Sequence, residues 1–395
     1  MFPTDVVIVA GARTPFARYN GEFANTTAID LAAAASREAI RLAGVDPNEF
    51  DHSIFGNVQQ TSSDALYGAR HVALKAGLKI ETPAVTVNRL CGSGMESICQ
   101  AAQRILLEEA NLVLAGGMEN MTQAPHVIRG ARTGFRLGEG KLEDSLMTAL
   151  LDTYCGCNMS DTAENLAAEY GITRQHADEY ALRSQRLAEA AFRAGLMKEE
   201  IVPVEVKQGK KSKIVSEDNH RRPETSMETL AALPPAFRKD GIVTAGNASG
   251  IVDGAAAVVV TREKLAKERG WKPLGRIISW AAVGVAPRIM GIGPVPSTQK
   301  ALQLAGLSLE QIDLVEVNEA FAAQYLAVER GLGLNRDKVN VNGGAIAVGH
   351  PLGASGTRLV LTLLLELRRR GARYGLSSAC IGGGQGIAVI VESMA

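Results

Sequence analysis

The segment "VNRLCGSGMES" (87–97) places Cys91 between a run typical of a strand and a run typical of a helix. A cysteine attacks as its thiolate, and a helix N-terminus or a nearby imidazole lowers the pKa of a thiol. Gly92 and Gly94 allow a sharp turn and a close approach of a substrate to the backbone. Because free cysteines are often simply buried, the segment alone leaves two interpretations open, a packed thiol and a nucleophile.

A nucleophilic cysteine needs a base, and the chain has six histidines. Only His350 lies in a glycine-dense turn, "NGGAIAVGHPLGASG", which is followed by another helical run. The other five lie in polar or helical surroundings that favour structural roles. We therefore pair His350 with Cys91, although the two are far apart in the chain.

Two further segments carry groups that could take part in the same chemistry. "SACIGGGQGIAVIV" (378–391) contains Cys380 and a run of glycines whose backbone N–H groups could face an oxyanion. These glycines miss the G-x-G-x-x-G spacing and precede a strand, which argues against a dinucleotide site. In "EVNEAFA", Asn318 and Glu319 follow a strand, where an amide could hold a water or a carbonyl. The "CGC" segment (155–157) has no matching pair of ligands, so no metal site is expected.

The elements that must position these residues alternate between short apolar runs and Ala-rich helical runs, which is typical of an α/β protein. Two long segments, "VTVNRLCGSGMESICQAAQRILLEEA" and "VNVNGGAIAVGHPLGASGTRLVLTLLLELRRR", share the order strand, Asn, Gly-rich turn, helix. The segments "FDHSIFGNVQQ" and "IDLVEVNEAFA" form a second pair. We predict two related halves, whose packing about a pseudo-twofold axis would bring Cys91 and His350 to one site.

The sequence pattern changes between the two predicted halves. Residues 121–245 have few strand patterns and one long helical pattern over 162–195, so we predict an inserted segment that forms a lid or a substrate pocket. The predicted domains are an N-terminal half at 1–120 with a return segment at about 246–270, an inserted loop domain at 121–245, and a C-terminal half at 271–395.

Composition limits the possible partners and locations. The 395-residue chain has 42 Lys and Arg against 42 Asp and Glu, so no general attraction to nucleic acid or to an anionic membrane is expected. No stretch approaches the length of a membrane span, and the short apolar run after Asp5 does not resemble a signal peptide. Five scattered cysteines do not suggest a disulfide framework, so a cytoplasmic location is expected.

The chain resembles the thiolases, a family of acetyl-CoA acyltransferases, and the resemblance extends from "VIVAGARTPF" to the C-terminus. It is closest to the 3-ketoacyl-CoA thiolases of mitochondrial type and also similar to acetyl-CoA acetyltransferases. The resemblance implies the thiolase fold, with two duplicated βαβαβ-type halves in αβαβα layers and an inserted loop domain. The motifs that carry it are "NRLCGSG", "GGMENMTQAPH", "TAEN", "DGIVTAGNASGIVDGAAA", "GIGPVP", "VEVNEAFA", "NVNGGAIAVGHPLGASG" and "SACIGGGQG".

The resemblance implies a role for each matched residue. Cys91 matches the acyl-accepting nucleophile, His350 the histidine that activates it, and Cys380 the acid/base cysteine. Asn318 matches the asparagine that positions a water in one oxyanion hole, and the N–H groups of Cys91 and Gly382 match the second hole. The residues that match the coenzyme A path are Met159, Arg222, Thr229, Ser249, Ala320 and Phe321.

The implied reaction is reversible Claisen chemistry on acyl-CoA substrates, with an acyl group carried by Cys91. Coenzyme A is a substrate, no permanently bound cofactor is implied, and family members form dimers or tetramers. Asn158 stands where many members have a histidine, and Thr229 where some have a serine, so the acyl-chain preference stays open. Fatty acid β-oxidation is the expected setting.

Three alternatives accompany this interpretation. The main activity could be that of a short-chain acetyl-CoA C-acetyltransferase, which forms acetoacetyl-CoA. A condensing enzyme of the ketoacyl-synthase kind would have a histidine or an asparagine at the position of Cys380, so "SACIGGGQG" disfavours it. A non-catalytic acyl-CoA-binding or lipid-binding relative is disfavoured because Cys91, His350 and Cys380 are all present.

Overall fold

The computed structural model of the chain describes residues 5–209 and 211–394. The strands are β1 (Val6–Arg13), β2 (Ala17–Arg18), β3 (His52–Gly56), β4 (Ala84–Val87), β5 (Leu112–Glu119), β6 (His126–Ile128), β7 (Leu142–Asp144), β8 (Leu151–Asp152), β9 (Cys157–Asn158), β10 (Val204–Gln208), β11 (Lys211–Val215), β12 (Val252–Arg262), β13 (Gly275–Gly284), β14 (Leu314–Val317), β15 (Tyr374–Ile381) and β16 (Gln385–Ser393). The helices are α1 (Ala28–Ala43), α2 (Gly68–Ala76), α3 (Ser93–Leu106), α4 (Ser145–Ala149), α5 (Met159–Tyr170), α6 (Arg174–Arg193), α7 (Met227–Ala231), α8 (Glu263–Arg269), α9 (Pro294–Ala305), α10 (Ala322–Leu332), α11 (Ala345–Val348) and α12 (Leu352–Arg370).

The main sheet has the strand order β14-β15-β16-β13-β1-β12-β5-β3-β4. On one side β3 pairs in parallel with β4 and β5, while β12 pairs antiparallel with β5 and β1. On the other side β14 pairs in parallel with β15 and with a bridge at Val339, while β16 pairs antiparallel with β15 and β13. The two sides therefore have the same pairing pattern, which confirms the predicted duplication, and they join where β1 meets β13.

Three large apolar clusters show how the layers stack. One joins α1 and α2 to the strands of the first half, and another joins α9 and α10 to those of the second. The cluster between them contains α3 and α12 with strands of both halves. Helices and strands thus alternate in five layers, as predicted, and α12 is buried from Leu352 to Leu367 because it lies in the central layer.

The two central helices approach each other very closely. A Cβ atom built on Gly94 of α3 would lie 2.6 Å from the backbone nitrogen of Thr357 in α12, and one on Gly356 would collide with the backbone nitrogen of Met95. The glycines therefore allow backbone-to-backbone contact at this crossing. Both helices begin beside the segments that carry the proposed catalytic residues, so this contact fixes the distance between the two segments.

Two predicted elements have a different structure. The strand expected in "VNVN" is reduced to a bridge at Val339 because Asn340 has a left-handed φ of 46°. Its side-chain amide accepts from the Val317 N–H at 2.9 Å and donates to the Val317 carbonyl at 3.0 Å, in place of a strand backbone. The helical pattern over 162–195 forms two helices, α5 and α6. Gly171, with φ of 60°, ends the first, and Thr173 caps the second.

The segment between the halves contributes three two-stranded sheets, β6–β7, β8–β9 and β10–β11, together with α4 to α7. The return strand β12 lies between β1 and β5 in the main sheet. The domain boundaries given above stay a prediction. Among the described residues no helix is both long and apolar enough to span a membrane, and no three His, Cys, Asp or Glu residues are grouped as metal ligands would be.

Candidate active site

Cys91 lies in a tight turn between β4 and α3, as the sequence predicts. Leu90, directly before it, has a left-handed φ of 46°, which few non-glycine residues adopt. The Ser93 hydroxyl stabilises the turn, since it accepts from the Arg89 N–H at 2.8 Å and donates to the Leu90 carbonyl at 2.7 Å. The local backbone therefore presents Cys91, which is partly exposed, to a cavity at the start of α3.

Burial controls the protonation of Cys91. It raises the pKa of the thiol to about 11, although backbone N–H groups of Gly382 and of Cys91 itself bond to the sulfur and lower the pKa. The prediction that the helix start lowers this pKa is therefore wrong for this structure, because desolvation outweighs the N–H groups. At neutral pH Cys91 is a thiol, and it needs a base to become a nucleophile.

His350 is held from three sides near the start of α12. Its backbone N–H donates to the Gly250 carbonyl at 2.9 Å. The ring nitrogen Nδ1 lies 2.6 Å from Ser355 Oγ, and Nε2 lies 3.3 Å from Asn318 Nδ2. Burial, with the Arg358 guanidinium as a second cause, lowers the pKa of His350 to about 3. The imidazole is therefore neutral at physiological pH and can accept a proton.

Asn318 follows β14 and connects β15, which carries Cys380, to His350. Its backbone N–H donates to the Ser378 carbonyl of β15 at 2.9 Å, and its side chain contacts His350. Its Oδ1 atom is buried and has no hydrogen-bond partner within the described part of the chain. The amide thus has one free acceptor beside the imidazole, as the predicted role requires.

Cys380 and Gly382 lie at the end of β15. Cys380 is fully buried against Met290 and Ala320, and burial, with the Cys91 thiol as a second cause, raises its pKa. It is not among the residues that line the cavity, but it contacts Met290 and Ala320, which do, and it is close enough to Cys91 for the two thiols to interact electrostatically. The Gly382 N–H points to the Cys91 sulfur. The structure thus brings the five predicted catalytic residues together.

The inner cavity has a volume of about 260 Å³ and a mostly apolar lining. Four of the predicted coenzyme A residues, Met159, Ser249, Ala320 and Phe321, contribute to it. Asn158, which stands where many family members have a histidine, also lines this cavity. The full lining is Cys91, Met121, Met147, Leu150, Asn158, Met159, Ser160, Phe237, Ala248, Ser249, Gly250, Ile251, Met290, Ala320, Phe321, His350 and Leu352.

A groove continues outward from this cavity. A second pocket shares Ser249 and Phe237 with the inner cavity and shares Arg222 with a third pocket, which Thr229 also lines. The Thr229 hydroxyl donates to the Ser226 carbonyl at 3.0 Å as part of a helix cap. All six predicted coenzyme A residues therefore line three neighbouring pockets that share residues, and the innermost pocket contains Cys91.

Two buried carboxylates hold the site together. Glu319 accepts from the hydroxyls of Tyr180 and Ser184, both at 2.7 Å, and from Asn340 Nδ2 at 2.9 Å. Its bond to the Ile346 N–H, at 3.1 Å, anchors the turn that leads to His350. The sequence singled out Glu319 because it follows Asn318 at the end of a strand in "EVNEAFA".

Glu119 and Ser355 have positions in the site that the sequence did not reveal. Glu119 accepts from the backbone N–H groups of Val58, Gln59 and Gly353, at 2.9–3.1 Å, and so connects the end of β3 to the start of α12. Burial raises the pKa of Glu119 to about 7. Glu119 lies in "GGMENMTQAPH" and Ser355 in "NVNGGAIAVGHPLGASG", two motifs that carry the family resemblance, but the sequence analysis assigned no role to either residue.

Comparison with known proteins identifies the family of the chain. The family profiles for the N-terminal and C-terminal domains of thiolase match residues 6–264 and 271–393. The chain is 53% identical over 391 residues to human mitochondrial 3-ketoacyl-CoA thiolase, which covers 99% of this chain and 98% of the relative. It is 51% identical over 390 residues to acetyl-CoA acetyltransferase of Escherichia coli K12, covering 98% of this chain and 99% of the relative.

Solved structures give the same result. The crystal structure of human mitochondrial 3-ketoacyl-CoA thiolase has a TM-score of 0.97 to this chain at 53% identity, with 99% of each chain covered. A structure of the human enzyme in complex with CoA has a TM-score of 0.96, with 98% of each chain covered. The resemblance and the fold class predicted from the motifs are confirmed. The chain belongs to the thiolase family of acyltransferases.

Proposed function

We propose that this thiolase cleaves 3-ketoacyl-CoA with coenzyme A, giving acetyl-CoA and a shortened acyl-CoA, through an acyl group carried by Cys91. The observation that supports this most directly is that Cys91 and His350, from the two halves, line one cavity. A thiol that shares a cavity with a neutral imidazole can act as a nucleophile with that imidazole as its base. The reverse reaction, condensation of two acyl-CoA molecules, uses the same groups.

In the first half-reaction, His350 Nε2 accepts the proton of the Cys91 thiol while the sulfur attacks the 3-keto carbon. The alkoxide that forms is stabilised by donors held by Asn318 and His350. The bond between carbons 2 and 3 then breaks, and the enolate of acetyl-CoA leaves. The Cys380 thiol protonates this enolate, because its raised pKa keeps it protonated until a carbanion forms beside it.

In the second half-reaction, coenzyme A gives its thiol proton to the Cys380 thiolate and attacks the acyl-Cys91 thioester. The family resemblance assigns the N–H groups of Cys91 and Gly382 to stabilise the oxyanion that forms from the thioester oxygen. Cys91 then leaves as a thiolate and recovers its proton from His350. Protons and electron pairs balance over the cycle without any redox step, and coenzyme A enters only as a substrate.

The groove from Thr229 and Arg222 to Cys91 is the proposed path of coenzyme A. Its apolar inner section, lined by Met159 and Phe321, suits the pantetheine arm, and the Arg222 guanidinium lies at the outer end, where an anionic nucleotide would bind. The crystal structure of the human mitochondrial thiolase in complex with CoA supports this use of the same fold.

The relatives are named for two activities, and these differ in the length of the acyl group that is transferred. Met121, Met147, Leu150 and Leu352 give the cavity around Cys91 an apolar wall, which favours 3-ketoacyl chains longer than acetoacetyl. Short-chain acetyl-CoA C-acetyltransferase activity is the second candidate, since an acetyl-CoA acetyltransferase is about equally similar to this chain.

Steady-state turnover with acetoacetyl-CoA and with longer 3-ketoacyl-CoA thioesters tests the proposal. We expect kcat/KM to rise with chain length, and mass spectrometry of quenched enzyme to find the acyl group on Cys91. Cys91→Ala is the control that should carry no acyl group. Reaction with acetoacetyl-CoA alone would favour the second candidate, whereas an acylated enzyme without Cys91 would contradict the mechanism.

Assembly and location are also proposals. We propose a homo-oligomer, a dimer or a tetramer, because β4 is an end strand of the main sheet and Leu66 and Tyr67 expose 74% and 60% of their surface beside it. Light scattering from the purified protein tests this, and a monomer would contradict it. Free cysteines suit the cytoplasmic location proposed from the sequence, which cell fractionation would check.

A further inference from the structure

Ser355 makes two hydrogen bonds that together constrain the catalytic imidazole. It is buried in the first turn of α12, and its hydroxyl donates to the Pro351 carbonyl, four residues earlier, at 3.0 Å. The same oxygen lies 2.6 Å from His350 Nδ1. The hydroxyl therefore connects the helix backbone to the ring nitrogen that faces away from Asn318.

A serine hydroxyl has a single hydrogen. If that hydrogen points to the Pro351 carbonyl, the contact with His350 can form only when Nδ1 carries a proton and donates it to Ser355 Oγ. In the neutral ring Nε2 then carries the only lone pair, which accepts from Asn318 Nδ2 at 3.3 Å in the resting site and exchanges this long bond for the Cys91 proton during the reaction. The opposite tautomer would point an Nε2 hydrogen at the Asn318 amide nitrogen, which offers only donors.

We propose that Ser355 is a positioning residue that holds neutral His350 as its Nδ1–H tautomer, so that Nε2 is always the base. This inference rests on the role proposed for His350 and extends it to the residue that selects the reactive nitrogen. Ser355 itself does not touch the reacting atoms. Without its hydroxyl, the buried Nδ1–H would lose its acceptor, and the ring could exchange tautomers or rotate.

The chain offers a closely matched control. Ser297 occupies the same position, the fourth residue of α9, is equally buried, and donates to the Gly293 carbonyl four residues earlier at 2.9 Å. It makes the same helix bond but contacts no histidine. Ser297→Ala therefore measures the cost of losing the helix bond alone, and Ser355→Ala measures that cost together with the loss of the contact to His350.

We expect Ser355→Ala to lower kcat by roughly 10- to 100-fold, the effect of losing one buried hydrogen bond at a reacting group. KM should change little, because no substrate contact is removed, and Ser297→Ala should leave kcat near the wild-type value. Ser355→Thr, which keeps the hydroxyl, should restore most of the activity. Equal kcat values for the two alanine variants would overturn the proposal.

The tautomer can be measured directly by NMR on protein with ¹⁵N-labelled histidine rings, with the His350 signals assigned from their absence in His350→Asn. We expect wild-type His350 to have a protonated Nδ1 at neutral pH and Ser355→Ala to populate the other tautomer. A protonated Nε2 in the wild-type protein would refute the proposal, even if Ser355→Ala fails to fold. Full activity of His350→Asn would instead refute the proposed function.

Discussion

The two halves present their catalytic residues in different ways, although they have the same pairing pattern. In the first half β4 forms a complete strand, and only five residues separate it from α3. Cys91 lies within this short turn, where the left-handed Leu90 and the Ser93 hydroxyl set the backbone. The nucleophile is thus positioned mainly by backbone geometry.

In the second half the matching strand is absent, and a longer segment leads from Val339 to α12. Side chains replace the lost backbone pairing, since Asn340 bonds to Val317 and Glu319 bonds to the Ile346 N–H. His350 ends this segment between Asn318 and Ser355. The base is thus positioned mainly by side-chain hydrogen bonds.

The difference follows from the chemistry of the two groups. A thiol needs only to point into the cavity, and a short turn stabilised by the Ser93 hydroxyl does this. An imidazole must also present a defined nitrogen, so both of its ring nitrogens need partners. The second half therefore depends on buried polar side chains, which are costly to remove singly because they leave unpaired groups.

The largest expected effect comes from removing the base of the second half. His350→Asn should lower kcat by roughly 10²- to 10⁴-fold, the usual contribution of a general base. With the pKa of Cys91 at about 11, the residual rate of Cys91 acylation should rise about tenfold per pH unit up to that pH, since only spontaneously formed thiolate reacts. Wild-type acylation should lack this slope, because His350, with a pKa of about 3, stays neutral and able to accept the proton. Stopped-flow acylation over a pH series measures both.

A second histidine variant provides the control for this experiment. His176→Asn alters an exposed histidine in the cap of α6, where asparagine can also accept from the Thr173 N–H. Its rate and pH profile should match those of the wild type. If the acylation rate of the wild-type enzyme also rises tenfold per pH unit, His350 does not activate Cys91.

The next largest effect is expected at Asn340, whose side-chain hydrogen bonds take the place of strand pairing. Asn340→Ala should lower the free energy of unfolding by about 2–3 kcal/mol, because it removes the partner of the buried Val317 N–H and C=O groups and one of the four donors to Glu319. Asn340→Gly removes the same bonds but tolerates the left-handed φ, so it should be less destabilising than alanine by about 1 kcal/mol. Denaturant unfolding of both variants makes the comparison. Equal loss in the two would show that backbone strain contributes nothing at this position.

Much of this architecture was predictable because it depends on local patterns. The strand and helix around Cys91, the glycine-dense turn of His350 and the repeat between the halves all follow from apolar periodicity and glycine spacing. The strand expected at "VNVN" was wrong, because a hydrogen-bonding Asn340 side chain can replace strand pairing only once β14 is beside it. Sequence periodicity cannot reveal such a long-range substitution.

The protonation states of the site residues were less predictable than the identities of those residues. A helix start next to Cys91 suggested a lowered thiol pKa, but burial raises the pKa, and Cys91 packs with Met121, Leu146 and Leu352 from distant parts of the chain. Glu119 likewise gains its role from donors on two distant elements, Val58 and Gly353. Local sequence shows which groups are present, and tertiary packing decides their protonation.

The smallest expected effect tests the crossing where the two halves meet. In a helix, replacing glycine by alanine ordinarily stabilises by about 1 kcal/mol. At Gly94, however, the added Cβ would lie 2.6 Å from the Thr357 nitrogen and 2.8 Å from the Gly353 carbonyl oxygen, so α3 must move away from α12. Gly94→Ala should therefore destabilise by about 1–3 kcal/mol and lower kcat as well, because Cys91 moves with α3. Gly284→Ala, whose nearest atom would be 3.9 Å away, should change stability by no more than about 0.5 kcal/mol. If Gly94→Ala is stabilising, backbone contact does not set the spacing of the two catalytic segments.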